Sequence, residues 1–416
     1  MGVERKTVTI IGAGIAGLTT ALSLSLANSN RNGNIHIDIF EKVEAPSEEG
    51  AGLQLSPNAT HILRKLGVLD NLLACAGQPQ NIIMADGKTG KQIANIPLGD
   101  YALNRYDAPY LVVHRADLHR ILLAKAKAQT NINIYFDHEL THLTLQTEGY
   151  ICQFAHNGQE INNQADLYIA ADGVWSQTKT LLSLDTRNPA IYSGHIAWRA
   201  LIDAPELIKK YQNSTHVWVG RNAHVVLYPI SSGKQLNFVA FTEGEFKQKS
   251  WAQNADKSEL ETHLKGWNDD VSRLVMAAGQ MKIWPLCAGA PEYQSAQKNI
   301  LFIGDAAHPT LPYQAQGAAM AIEDAACLAN LLYASAENWQ HWADDILPLK
   351  LRIYEASRHD RVTKTQQTAL QNAKIFHLAA PISWARNFYL KFLTKFARKS
   401  LLRRLDWLYS KRYDNY

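Results

Sequence analysis

Short unbroken apolar runs, each leading into a helical segment, mark both ends of the chain, whereas its middle alternates apolar and polar positions. Thr7-Val-Thr-Ile-Ile11 is a strand's worth of β-branched residues and is followed by an apolar helix over Leu18 to Leu26. Ile35 to Phe40 predicts a second strand, Val112 to Leu123 an extended run turning into a helix, and Asp166 to Ala171 and Ile300 to Ile303 two further buried strands. From about Gln316 the residues become small and helical (Ala318, Ala319, Ala321, Ala325, Ala326), a thin helix that other backbone can approach closely. Between about Thr178 and Pro291 this pattern stops. Strand-like runs over Tyr192–Leu201, Thr215–Val219, His224–Ile230 and Gln235–Phe241 are separated by turns, and a helical piece covers about Lys257 to Ala278. Gly77 to Asp107 also reads as strand and turn, an excursion into the same β-rich unit. Leu347 to about Lys374 predicts a long helix, and Ile382 to Tyr416 a basic amphipathic tail whose expected place is with its apolar face on the body.

These elements predict an α/β protein in which a Rossmann-like unit is interleaved with a mostly antiparallel β unit. The expected division puts residues 1–76, 106–178 and 290–365 in the first unit, 77–105 and 179–289 in the second, and 366–416 in a C-terminal helical segment. A chain of 416 residues exceeds what one core ordinarily supports, in keeping with two joined units. Apolar content of 46% and charge of 19% describe an ordered globular protein, and a net charge of +4 is too small at this size to argue for nucleic acid. Cys75, Cys152, Cys287 and Cys327 form no C-x-x-C pair, which argues against zinc and against a disulfide framework. With neither signal peptide nor spanning segment legible, the expected location is cytoplasmic, as a monomer or homodimer.

The chemistry gathers where strands end. Gly12, Gly14 and Gly17 follow the first strand as G-x-G-x-x-G, a spacing that allows a tight turn, close approach of a pyrophosphate and packing of the next helix. Glu41, closing the second strand, is placed to accept hydrogen bonds from ribose hydroxyls. Gly50 and Gly52 would let backbone lie against a flat ring, and Ser56-Pro57 reads as a cap and first residue of a helix. Arg115 sits at a strand-to-helix junction, Asp172 closes another strand ahead of Gly173, and Asp305 closes the last strand, where it can accept from hydroxyls. The helix start at Gly317-Ala318-Ala319 offers free N–H groups and a positive dipole end to a ligand that becomes anionic.

The ordered set of G-x-G-x-x-G with Glu41, Asp172-Gly173 and Gly304-Asp305-Ala-Ala-His-Pro309 resembles the class A FAD-dependent aromatic hydroxylases over nearly the whole chain. His195 to Ala200, His224 to Pro229 and Asp406 to Tyr409 are similar to phrases of the salicylate hydroxylase and 3-hydroxybenzoate 6-hydroxylase branch. The resemblance implies a glutathione-reductase-type FAD domain and an FAD cofactor held by Gly12, Gly14, Ala16, Gly17, Glu41, Lys42, Leu53, Gln54, Arg115, Asp172, Asp305, Gly317, Ala318 and Ala319. It further implies NADH or NADPH as a transient co-substrate and O2 addition to the reduced flavin as a C4a-hydroperoxide, from which one oxygen passes to a small phenolic or aromatic-carboxylate substrate. His224 and Tyr228 match the family's pocket strand, with His224 as base or orienter of the phenol; His308 would brace the cofactor loop. Pro312, Tyr313 and Gln314 depart from the branch where it carries a polar ring-facing residue, and Trp175 stands where arginine or histidine is common. Two alternatives stay open: oxygenation of a hydrophobic, non-phenolic substrate, which membrane or partner contact through 382–416 would favour, and a non-catalytic nucleotide-binding protein of the same fold.

Overall fold

The computed structural model describes residues 5–30, 34–45, 52–146, 149–184, 189–245, 253–293, 299–333 and 346–413. Its apolar runs assemble as one parallel sheet in the order Ile300–Phe302, Leu167–Ala170, Lys6–Ile11, Ile35–Phe40, Ile132–Tyr135. The helix Ile15–Asn30 is buried almost all round, as its uniformly apolar and small side chains require, and it packs between the sheet and the small-residue helix Gly317–Leu332. Gly50 of the expected ring-contacting pair lies outside the described residues.

The alternating segments form an eight-stranded sheet ordered Gln253–Ala255, Met281–Ala288, Ile191–Ile202, Gln235–Glu243, Ala223–Ile230, Ser214–Gly220, Asn81–Asp86, Gln92–Pro97. Its pairs are antiparallel except that of Ser214–Gly220 with Asn81–Asp86, which is parallel. One face carries Trp198, Val225, Leu227, Phe238 and Ala240 against Leu260, Val271 and Leu274 of two covering helices. The other carries Ala197, Val239 and Phe241 against Leu311, Tyr313 and Ala369, and so looks toward the parallel-sheet half of the molecule. A two-stranded ladder, Gly52–Leu55 against Leu111–His114, lies against this second face.

Three expectations change. The helical piece over 257–278 is two helices, Lys257–His263 and Asp269–Ala277, because Asn268 breaks the run and its side chain accepts from the N–H groups of Asp270 and Val271. Ser56 does precede a helix with Pro57 at its first position but makes no side-chain cap; its hydroxyl donates to Asn58 Oδ1 at 2.6 Å and accepts from Gln316 Nε2 at 3.0 Å. The tail is helical, Ile382–Phe396 followed by two short helices, and its end packs on the body as expected, with Leu408, Tyr409 and Tyr413 buried, but the aromatic side chains of its first helix do not: Trp384, Phe388 and Phe396 are exposed. The helix instead turns Leu393 and Leu390 inward, the second against the cluster of Ile93, Val217 and Val219.

Candidate active site

Register in the parallel sheet brings the carboxyl ends of four strands into one row. Gly12 N–H donates to Phe40 O at 2.7 Å, Ala171 N–H to Ile11 O at 2.8 Å and Ile303 N–H to Ala170 O at 3.0 Å. Glu41, the glycine turn, Asp172 and Asp305 therefore leave the same edge, the edge at which open parallel sheets bind ligands. Within the turn, a Cβ on Gly17 would lie 2.0 Å from Gly12 O, so glycine there is a packing requirement. A Cβ on Gly14 would meet no protein atom within 4 Å, so that glycine faces open space. Glu41 Oε2 accepts from the Ala13 N–H at 2.8 Å and its Oε1 from Val43 N–H at 3.2 Å, which ties the acid to the turn, with Lys42 exposed beside it. His119 adds a contact that the sequence reading did not identify, Nε2 to Ala13 O at 2.7 Å.

Asp305 projects from a turn at Gly304–Ala306 and faces the start of the Gly317–Leu332 helix, where a Cβ on Gly317 would lie 4.0 Å from its Oδ1. Water reaches it, yet enough protein surrounds it that desolvation raises its pKa, against the pull of His308 and Arg115. The N–H groups at Gly317, Ala318 and Ala319 open the helix and lack intrahelical acceptors. Gly304 has a φ of +57°, and a Cβ there would come 3.0 Å from that of Ala16 and 3.2 Å from that of Ala321. A larger residue at any of these three would pry the two helices from the strand end. Arg115 opens the helix Arg115–Lys127 and makes no hydrogen bond or ion pair with the described residues. Asp172 turns one oxygen to its own loop, accepting from Thr178 N–H and Oγ1 at 2.9 Å each; its other oxygen is buried without a partner.

Behind the Asp305 turn lies a buried ionic network. Asp324 accepts from Gly304 N–H at 2.9 Å, contacts His308 Nε2 at 2.6 Å and accepts from Arg358 Nε at 2.7 Å. Arg358 also donates to Glu323 at 2.7 Å, and Glu323 accepts from Arg361 and from Asn58 Nδ2 at 2.6 Å. Burial alone would raise both carboxyls; contacts with His308 and Arg358 for Asp324, and with Arg361 and Arg358 for Glu323, hold them below the usual carboxylate range. His308 is thereby a brace of the turn.

Opposite stands the face of the large sheet. Asn237 Oδ1 accepts from Gly52 N–H at 2.7 Å, and a Cβ on Gly52 would lie 2.5 Å from the Tyr228 ring, so the Leu53-Gln54 strand is pressed on this wall. Tyr110 O–H donates to Gln54 Oε1 at 2.5 Å. His224 and Tyr228 share the wall at even spacing. Burial keeps the Tyr228 phenol protonated well beyond neutral pH. His224 is buried, stacked on Phe241 at 4.4 Å and hydrogen-bonded through Nδ1 to His377 Nε2 at 2.9 Å. Desolvation, with His377 and His195 nearby, drives His224 well below its ordinary value, and His377 is pushed down to about 4. On the same wall Arg199 lies 5.1 Å over the Trp284 ring with Nε buried and unbonded. It forms no ion pair with the described residues, and burial lowers its pKa despite the nearby Tyr228. Arg199 lies within the run His195 to Ala200, where nothing in the spacing marks a strand arginine as unpaired.

Residues 5–369 match the family described as FAD binding domain. The chain is 32% identical over 370 residues to 6-hydroxynicotinate 3-monooxygenase of Bordetella bronchiseptica, covering 88% of this chain and 91% of that protein. It is 28% identical over 403 residues to 3-hydroxybenzoate 6-hydroxylase of Polaromonas naphthalenivorans, covering 97% and 95%. Among solved structures, HpxO of Klebsiella pneumoniae complexed with FAD and uric acid superposes with a TM-score of 0.79 at 22% identity, covering 97% of this chain and 96% of that one.

Proposed function

The chain belongs to the FAD-binding family of class A flavoprotein hydroxylases and is an FAD-dependent monooxygenase, and from this premise we propose that it hydroxylates a small phenolic substrate carrying, or able to form, an anionic oxygen. The observation that carries this reading is Arg199, a cation held in the wall beside Tyr228 with no anion among the described residues. Arg199 is half-buried with its Nε shut away from any acceptor, and a substrate carboxylate or phenolate would supply the partner that this desolvated cation lacks. Tyr228 donates its hydroxyl to the same ligand. His224, with its depressed basicity, serves as a neutral acceptor that orients the phenol O–H rather than storing its proton.

The cofactor-side residues fit FAD on this structure's own geometry: open space over Gly14, tight packing at Ala16, Gly17 and Gly304, a hydroxyl acceptor at Asp305 and a helix start at Gly317. Gly12, Gly14 and Gly17 would hold the pyrophosphate, Glu41 and Lys42 the adenosine end, Arg115 and Asp305 the ribityl region, and Leu53, Gln54, Gly317, Ala318 and Ala319 the ring system. Asp172, whose second oxygen is unpaired, would border both FAD and the nicotinamide nucleotide. When bound, FAD would supply the redox chemistry by which NAD(P)H reduces O2, one oxygen atom passing to the substrate and the other leaving as water. The proposed division makes the parallel sheet a glutathione-reductase-type FAD unit, interleaved with the large sheet as substrate unit, in the boundaries given above.

The test is NADH and NADPH oxidation by the FAD-loaded enzyme over a panel of hydroxybenzoates, hydroxylated N-heteroaromatic acids and neutral phenols, with peroxide and product mass read in parallel. Stimulation by the acids with a product heavier by one oxygen, or its decarboxylated equivalent, is expected. Stimulation by neutral apolar compounds alone would replace this reading by its rival, oxygenation of a hydrophobic substrate, which the exposed aromatic helix of the tail favours.

A further inference from the structure

We infer that the Ile382–Phe396 helix lays its outer face on an anionic lipid bilayer. Trp384, Phe388, Phe392 and Phe396 recur every four residues, so they form one stripe along the helix. They are 68%, 74%, 49% and 68% exposed, and Ile382 at 62% and Tyr389 at 48% widen the stripe on one margin. Scattered apolar residues on a surface need no explanation, but a contiguous stripe of aromatic side chains does. Apart from a hydrogen bond from Arg404 to the Tyr389 hydroxyl at 3.2 Å, the described residues leave it uncovered. The helix is held by its opposite side, where Leu393 is buried, Arg386 donates to the carbonyls of Ile375 at 2.7 Å and Phe376 at 3.1 Å, and Asn387 donates to Asp86 Oδ2 at 3.1 Å. The stripe is therefore fixed outward by polar anchors.

Charge selects the occupant. Lys391 and Lys395 border the stripe at helical spacing, and from residue 382 to 416 the chain carries nine Lys and Arg against two Asp. Two copies stacked through this face would bring like charges together. A bilayer with anionic headgroups accepts the aromatic side chains at the acyl boundary and the ammonium and guanidinium groups among the phosphates. No helix of the described residues is long and apolar enough to cross a membrane, so the helix lies in the interface plane. This placement is independent of the reaction assigned to the cleft.

The test is co-sedimentation of the FAD-loaded full chain with phosphatidylcholine vesicles made with and without phosphatidylglycerol, at low and high salt. Binding to the phosphatidylglycerol vesicles, weakened by salt and lowered about tenfold or more by a combined Trp384→Glu, Phe388→Glu, Phe392→Glu variant, is expected. Lys391→Glu with Lys395→Glu is expected to lower it several-fold as well, with unfolding temperature and FAD content retained by both variants. No binding to either vesicle, binding that both variants retain, or light scattering that shows a dimer dispersed by the aromatic variant without vesicle binding would each overturn the inference.

Discussion

Replacing Gly14 by alanine separates a glycine that serves a ligand from one that serves the fold. At Gly14 an added Cβ meets no protein atom within 4 Å, whereas at Gly17 it would overlap Gly12 O at 2.0 Å. Gly14 lies outside the left-handed region, so alanine there is unstrained and is expected to leave the apoprotein as stable or more stable by about 0.4–1 kcal/mol, through the unfolded chain. If the pyrophosphate of FAD rests over Gly14, the new methyl pushes it from the turn and loses at least one charge-assisted hydrogen bond, about 1.5–3 kcal/mol. That corresponds to FAD binding weakened roughly 10- to 150-fold. The assay is titration of apoprotein with FAD by flavin fluorescence quenching, beside thermal unfolding of the same samples. Gly17→Ala, the contrasting variant, is expected to unfold at markedly lower temperature even without FAD. A Gly14→Ala protein with parental FAD affinity and unchanged unfolding would refute placement of the pyrophosphate at this turn.

Asp305→Asn is expected to weaken FAD retention while leaving the apoprotein no less stable at neutral pH. Because burial raises the Asp305 pKa, its stabilising contribution is complete below the unfolded value and is lost as pH rises through the folded one, so ionised Asp305 gives the apoprotein nothing to lose; undiminished flavin content after dialysis would count against the assignment. Arg199→Gln is expected to raise KM for anionic aromatic substrates by about 10- to 100-fold, the worth of one charge-assisted contact, and to spare neutral ones; an equal change for both classes in steady-state assays would remove Arg199 from recognition. Arg358→Met is expected to cost about 3–5 kcal/mol in urea unfolding by stranding buried carboxylates. With Asp324 and Glu323 held low, parental stability is in place above the ordinary carboxylate range and lost as pH falls through the depressed values, and in the variant that loss should begin at higher pH; superimposable pH profiles would contradict the network's role.

The half of the cleft that follows strand ends was legible in the chain. Gly12, Glu41, Asp172 and Asp305 each close a short apolar run, and parallel pairing in register carries run ends to one edge whatever the intervening loops do. The antiparallel strands were legible for the same reason, since alternation states which side chains share a face. Ser56 shows where local rules stop. Its position before Pro57 satisfies the pattern of a cap, but Gln316, distant in sequence, takes the hydroxyl instead. Glu323, Asp324 and Arg358 likewise sit in helices whose spacing says nothing of ion pairing, because their partners come from a different helix and from the loop at His308.

What could not be read is the sign of each buried charge's surroundings, and there the two sides of the cleft differ in a way that bears on chemistry. On the cofactor side every fully buried charge behind the Asp305 turn is matched: Asp324 and Glu323 by arginines and His308. That matching makes the turn rigid, since moving Gly304 would break its bond to Asp324 and disturb Arg358 with it. On the substrate wall Arg199 is left without a counter-ion among the described residues, and the basicity of His224 and His377 is lowered by burial and then by neighbouring histidines, His377 and His195 for the first and His195 for the second. A rigid matched support facing an unmatched cation is the arrangement expected where the cofactor must stay and an anionic substrate must come and go. Filling the vacancy at Arg199 with a permanent carboxylate, by Trp284→Glu beneath the guanidinium, should therefore abolish the preference for acids and leave FAD content unchanged. Retained preference for the acids in that variant would mean that their anion is met elsewhere than at Arg199.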